Sequence, residues 1–338
     1  MTARILPQVA LFDRDRPPPV LPACVHYAGN ARHIEKAMAL QAERGPVFDI
    51  STDCEDGAPV GAEVEHAKSL AALIASEANR HDRMGARLHP VDHPACLKEI
   101  AIMLGEAGDR LAFLTLPKAG SAADVERFLD ALVHEDTRLG LDREIPVSVL
   151  VETPGAVRDA WLIAALPGVV TLDFGTLDFV SAHYGAIPMS AMESPGQFDH
   201  PLVRRAKCET AAAALAHGRV PAHGVTRVID NPEVVHNDAR RAREEFGFLR
   251  MWSIHPSQID PILRAMQPKE RELAEAAEVL VAAQEADWAP LAVGGKLHDR
   301  ASYRYLWSVL QRAHASGVAL PRSTARLFPA SPTEGKRR

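Results

Sequence analysis

Two acids at the ends of short apolar runs are the first candidates for chemistry. Glu152 closes Val149-Leu150-Val151 and leads into Thr153-Pro154, and Asp178 follows Phe174-Gly175-Thr176-Leu177. A pair of oxygen donors without nitrogen or sulfur suits Mg2+, which takes few protein ligands and keeps waters for a substrate to displace. Mn2+ is its natural substitute. The competing use of such acids is to cap the helices that follow. Arg87, in Arg87-Leu88-His89-Pro90, offers a planar cation to a substrate carboxylate or a developing enolate oxygen; its structural alternative is an ion pair with Glu55 or Asp56. Lys118 reads as a solvated or phosphate-contacting cation, and less readily as a Schiff-base lysine. His255, before Pro256, reads as a hydrogen-bonded structural group ahead of a general base. No HExxH, CxxC, GxSxG or P-loop pattern is present.

What must hold these residues is an alternation of strands and helices. Strand candidates fall at residues 23–27, 47–51, 83–89, 111–117, 147–151, 169–174, 222–228 and 250–254, with helical segments between them. Each reads as an apolar run bounded by Gly or Pro, as strands of a buried parallel sheet do. Eight strand–helix units over about 250 residues match a TIM (β/α)8 barrel. A doubly wound open sheet shows the same alternation, and the tally of eight favours the barrel. A barrel gathers the residues at its C-terminal strand ends into one site. Those residues are Asp53-Cys54-Glu55-Asp56, Arg87, Lys118, Glu152, Asp178 and His255.

The domain organisation expected is a lead-in at 1–20, stiffened by Pro17–Pro19, and a barrel at 21–266. A C-terminal helical extension at 267–330 and a disordered tail at 331–338 complete it. The extension is expected to pack on the barrel or on a neighbouring subunit. With 47% apolar residues the 338-residue chain can bury a large core, and no apolar run is long enough to span a membrane. The first ten residues lack the apolar stretch of a secretory signal. A net charge of −6 without a long basic run argues against nucleic acid as a partner. Four scattered cysteines suit a reducing, cytoplasmic compartment.

Taken in order, the motifs resemble the HpcH/HpaI aldolase and citrate lyase β-subunit family, which includes malyl-CoA and citramalyl-CoA lyases. Residues 24–314 carry the resemblance. Trp252-Ser253-Ile254-His255-Pro256-Ser257-Gln258-Ile259 is similar to the family's W-x-IHPSQI signature, and Asp53-Cys54-Glu55-Asp56-Gly57-Ala58 to its D-L-E-D-A-V loop. Glu152-Thr153-Pro154, Phe174-Gly175-Thr176-Leu177-Asp178 and Gly295-Lys296-Leu297-His298-Asp299 resemble its E-T-P, F-G-x-E-D and G-K-x-x-D elements.

The resemblance implies Mg2+ on Glu152 and Asp178, substrate on Arg87, and Glu55 and Asp56 orienting metal-bound water. It implies a trimer or hexamer whose C-terminal segment brings Asp299 to a neighbour's site to move protons. Arg32, Lys36 and Lys118 are the expected contacts to coenzyme A phosphates. The expected reaction is cleavage of a short β-hydroxyacyl-CoA to a 2-oxo acid and an acyl-CoA. The alternatives are a thioesterase, a coenzyme-A-independent 2-oxo acid aldolase, and a carrier-dependent citrate lyase β-type subunit. Three departures fall on the substrate rim: His89 in place of the asparagine of R-x-N, Tyr27-Ala28-Gly29-Asn30 in place of a P-G pair, and Leu177 in place of a glutamate.

Overall fold

Strands that alternate with amphipathic helices can close on themselves, and here they do. A computed structural model of the chain describes residues 5–12, 17–141 and 143–329. Its main sheet is a closed barrel of eight parallel strands in sequence order. They are β1 (Cys24–Tyr27), β2 (Phe48–Asp53), β3 (Met84–Arg87), β4 (Leu111–Leu116), β5 (Val147–Val151), β6 (Val169–Phe174), β7 (Val220–His223) and β8 (Arg250–Ser253). Closure is made by β1 on β8, with Val25 opposite Trp252. This is the TIM-like architecture expected from the eight-fold alternation.

The period of two along each strand divides the side chains. Ile50, Ala86, Leu114, Val149 and Leu172 face the helices and join the main apolar core. Val25, Phe113, Leu150, Ala222 and Trp252 form a separate cluster inside the barrel. Several inward positions are polar, contrary to the expectation of continuous apolar runs. Near the floor Arg250 is ion-paired with Asp49, both buried, and also donates to Pro22 O at 2.7 Å. One strand boundary also needs correction. β7 begins at Val220 and ends at His223, because Gly224 and Val225 continue the apolar run after the ladder has stopped. Ser121 holds the N-cap position of helix Ala122–Leu139 without a side-chain cap, while Asp124 accepts from Gly120 N–H at 2.8 Å.

Barrel and flanking helices make one compact unit, Leu21–Met266. The described residues up to Val20 and from Gln267 onward make a second. It contains the helices Pro7–Leu11, Glu270–Glu285 and Arg300–Ala315. An antiparallel hairpin of β9 (Leu291–Val293) and β10 (Lys296–His298) precedes the last of these. Leu11, Leu280, Tyr303, Trp307, Leu310 and Leu327 are buried together at its centre. Gly294 and Gly295 turn the hairpin with φ of 56° and 75°, the doubly left-handed geometry that two-residue hairpins favour. The tail expected to be disordered, 331–338, lies outside the described residues. Among the described residues no helix is long and apolar enough to cross a membrane.

Candidate functional site

Alternation places Glu152 one inward step beyond Leu150 on β5, and it is 2% exposed. Its Oε1 accepts the backbone N–H of Lys118 at 2.8 Å. The neighbouring strand end is Gly175 for a steric reason: a Cβ there would stand 2.3 Å from Glu152 Oε2. Asp178 sits in the first turn of helix Thr176–Ser181 and lines the same cavity as Glu152. Burial, and then the charge of Asp178, push the Glu152 acid up to about 8. Two mutually repelling carboxylates on one cavity can hold a hard divalent cation, which relieves both the repulsion and the burial. Among the described residues no cluster of three His, Cys, Asp or Glu side chains forms a metal cage. Two carboxylate donors fit Mg2+, an ion that leaves most of its positions to water and substrate.

Arg87 ends β3 directly beside Asp53 in the parallel register. Its Nε and Nη2 donate to the two Asp53 oxygens at 2.8 and 2.9 Å. Asp53 also accepts from Glu55 N–H, Gly57 N–H and Tyr27 O–H, at 3.1, 2.8 and 2.8 Å. Burial works against the Asp53 charge, but these bonds and the Arg87 guanidinium hold its carboxyl below the usual range. Asp53 is thus the main partner of Arg87, a role the sequence reading gave to Glu55 or Asp56. Glu55 is secondary, with Arg87 Nη1 3.0 Å from its Oε2, and Asp56 is more distant at 3.9 Å. The register that pairs positions 53 and 87 was the signal for it. Nε and one N–H of Nη2 are spent on Asp53, so a substrate would meet the guanidinium on its Nη1 side, which Glu55 shares.

Lys118 turns its ammonium to Asp56 at 2.8 Å and to Glu55. Although burial disfavours its charge, these partners raise its pKa, so Lys118 is not the neutral amine a Schiff base requires. Arg87, Glu55, Asp56, Lys118, Glu152 and Asp178 therefore assemble at the C-terminal ends of the strands. Arg32 and Lys36 are exposed on helix Ala31–Arg44, and neither lines the cavity that Arg87, Glu152 and Asp178 share. Asp299 belongs to the second unit, where its Oδ1 caps helix Arg300–Ala315 by accepting from Ala301 and Ser302 N–H at 3.0 and 3.3 Å. His255 caps a short turn, accepting Ser257 N–H at 3.2 Å, in the structural role expected. His89 donates its backbone N–H to the buried Glu99 at 2.9 Å and pairs with it through Nδ1 at 2.5 Å.

The cavity these groups share has a volume of about 230 Å3. Its lining combines the polar Tyr27, Asp56, Arg87, Glu152 and Asp178 with the apolar side chains of Leu150, Leu177, Val225, Trp252 and Ile254. A roomier hollow of about 550 Å3 includes Leu104, Ile145 and Gly168. It lies at the N-terminal strand ends, where such barrels do not carry their chemistry.

Comparison with known proteins places this geometry among relatives. The sequence model of the family described as HpcH/HpaI aldolase/citrate lyase matches residues 49–256. A citrate lyase structure from Burkholderia xenovorans is 50% identical, with TM-score 0.83 over 96% of this chain and 99% of its own. The L-malyl-CoA/beta-methylmalyl-CoA lyase of Cereibacter sphaeroides is 27% identical over 220 residues, 60% of this chain. This chain spans 66% of that relative's length. Protein CitE of Mycobacterium tuberculosis, solved with magnesium, acetoacetate and coenzyme A, shares the fold at 23% identity. Its TM-score is 0.65 over 87% of this chain and 98% of its own.

Proposed function

We propose a function from the premise that this chain belongs to the HpcH/HpaI aldolase/citrate lyase family and is a lyase. It is a Mg2+-dependent carbon–carbon lyase that cleaves a short β-hydroxyacyl-CoA to a 2-oxo acid and an acyl-CoA. The observation that carries this reading is the convergence of Glu152, Asp178 and Arg87 on one small cavity at the C-terminal end of the barrel. A site of about 230 Å3 is below the roughly 300–1,000 Å3 of drug-sized ligands and suits the acid end of the substrate, not a whole coenzyme.

Glu152 and Asp178 are the metal-holding pair, and the bound ion supplies Lewis acidity at the substrate oxygens. Arg87 binds the substrate through its Nη1 edge and stabilises the enolate oxygen left on the acyl fragment when the carbon–carbon bond breaks. Asp53 keeps that guanidinium in place. Glu55 and Asp56 hold Lys118 and, with the ion bound, would orient water beside it. A carboxylate must take the hydroxyl proton and return one to the enolate carbon, and Asp299 of a neighbouring subunit is assigned to that task. Its capping bonds use only Oδ1. Arg32 and Lys36 are the proposed phosphate contacts for coenzyme A, and Lys118 joins them only by giving up an acidic partner. The reading includes a homotrimer or hexamer in the cytoplasm.

The test is purified protein with Mg2+ and malyl-, β-methylmalyl- and citramalyl-CoA, with a chelator control. Oxo acid and free thiol are followed separately. Oxo acid without thiol, abolished by the chelator, is the expected result. Thiol without oxo acid would establish a thioesterase, and silence in both channels would overturn the reading. Mixed oligomers of Asp299→Ala and Arg87→Ala chains should regain turnover if the sites are composite, and no regain would remove Asp299 from the neighbour's site.

A further inference from the structure

The apolar groups that share the cavity with the metal pair carry information about the substrate that the reaction type does not. Leu150 and Trp252 stand one inward step below Glu152 and Ile254, and with Leu177, Val225 and Ile254 they give the cavity its apolar lining. Two aromatic side chains here have polar tips of the kind that could meet a second charged group. Both tips are already used. Trp252 Nε1–H donates to the buried Asp173 Oδ2 at 2.7 Å, and Tyr27 O–H donates to Asp53 Oδ2 at 2.8 Å.

The tyrosine hydroxyl is fixed in that direction by its surroundings. A Cβ on Gly29 or Gly57 would lie 2.5 or 2.4 Å from it, so only glycine at those two positions leaves it room. Thr176 brings a neutral hydroxyl, buried and without a hydrogen-bond partner, to the edge of the cavity. It can bond one substrate oxygen but cannot balance a charge. Among the described residues the cations at the site, Arg87 and Lys118, lie against Asp53, Glu55 and Asp56. A second carboxylate on the substrate would therefore be desolvated against hydrocarbon with no counter-charge.

We infer that the 2-oxo acid handled by this site carries an uncharged alkyl side chain, seated on Leu150, Leu177, Val225, Trp252 and Ile254. The inference rests on the reading of the site as a 2-oxo-acid-releasing lyase and narrows it. In the substrate, the carbon bearing the hydroxyl and carboxylate also bears that alkyl group in place of a carboxymethyl arm. Tyr27 and Leu177, two of the three rim departures noted in the sequence, are the specificity-determining residues.

The experiment is calorimetric titration of the full chain, saturated with Mg2+, with pyruvate, 2-oxobutyrate, 2-oxovalerate and 2-oxo-4-methylvalerate. Oxaloacetate and 2-oxoglutarate supply the charged comparison. Kd should fall about fourfold for each added methylene until the cavity is filled. The two dicarboxylates should bind at least about tenfold more weakly than the alkyl acids of matching length. Leu177→Asn, a change of side-chain polarity at little change in size, should cut the gain to about twofold or less per methylene. Ile254→Thr, at a partly exposed position, should reduce it in the same sense without threatening the fold. A Kd that stays flat or rises along the alkyl series, or tightest binding by a dicarboxylate, would overturn the inference and leave the lyase reading standing. Failure of every oxo acid to bind would overturn both.

Discussion

Replacing Glu152 with glutamine should stabilise the metal-free protein and abolish its response to Mg2+. The wild-type acid is raised from an ordinary 4.5 to about 8, by burial first and by Asp178 second. The folded state therefore holds this proton more tightly than the unfolded chain does. Its contribution to stability is complete below about pH 4.5 and is lost as the pH rises through about 8. At about 1.4 kcal/mol per pH unit, the loss across that window approaches roughly 5 kcal/mol. Glutamine is nearly the same shape, keeps an oxygen for the Lys118 N–H, and has no such titration. Urea unfolding in a chelator should show wild-type stability falling away from that of Glu152→Gln between pH 5 and pH 8. Mg2+ at 100 times its Kd should then return about 2.7 kcal/mol to the wild type and nothing to the variant. Parallel pH profiles of the two proteins in chelator, or equal stabilisation of both by Mg2+, would refute the reasoning about this pair.

Two further substitutions test the supporting structure. Asp53→Asn breaks a buried pair and should cost about 3–5 kcal/mol in the urea unfolding free energy. Because the Asp53 carboxyl is held below its usual range, that difference should be full at neutral pH and shrink as the pH falls below about 4. KM for the acyl-CoA should rise in the same variant as Arg87 loses its anchor, and an unchanged unfolding midpoint would contradict the assignment. Gly175→Ala places a methyl group 2.3 Å from Glu152 Oε2 and must displace that carboxylate. Mg2+ affinity by calorimetry should drop at least about tenfold, as changes next to metal ligands commonly produce, and an unaltered Kd would show that Glu152 does not hold the ion.

The barrel was legible because each strand is short, apolar on its outward face and bounded by Gly or Pro, so the count of eight survived errors at the ends. The error at β7 has a local cause. Gly224 and Val225 extend the apolar run into the cavity wall, where the groups that face them are no longer strand partners. Strand ends also named the candidate residues that share the cavity, since a parallel barrel brings those ends together whatever lies between them. What sequence could not supply was pairing. Asp53 was visible as an acid, yet its bond to Arg87 follows from the register of β2 on β3. Lys207 shows the same limit more sharply. On helix Pro201–Ala216 it looks like a surface cation, but it is fully buried and donates to His223 Nε2 at 2.7 Å. Burial lowers its pKa well below the usual lysine value. Its own helix gives no hint of this, because the covering residues, Gln197 and Phe198, come from a preceding segment.

The second unit is discontinuous, and this has a consequence for synthesis. Leu11 O accepts from Arg300 Nε, a residue 289 positions later, and Gln8 Oε1 accepts from Trp307 Nε1 at 3.2 Å. A ribosome adding roughly 5–20 residues per second delivers those partners roughly 15–60 s after the first segment emerges. The barrel strands are complete in the nascent chain well before then. Helix Pro7–Leu11 thus waits, unpaired, through translation of the entire (β/α)8 body, and the last unit to form is the one that contains the earliest residues. A bulky fusion ahead of Pro7 is therefore expected to trouble the C-terminal helices before it troubles the barrel.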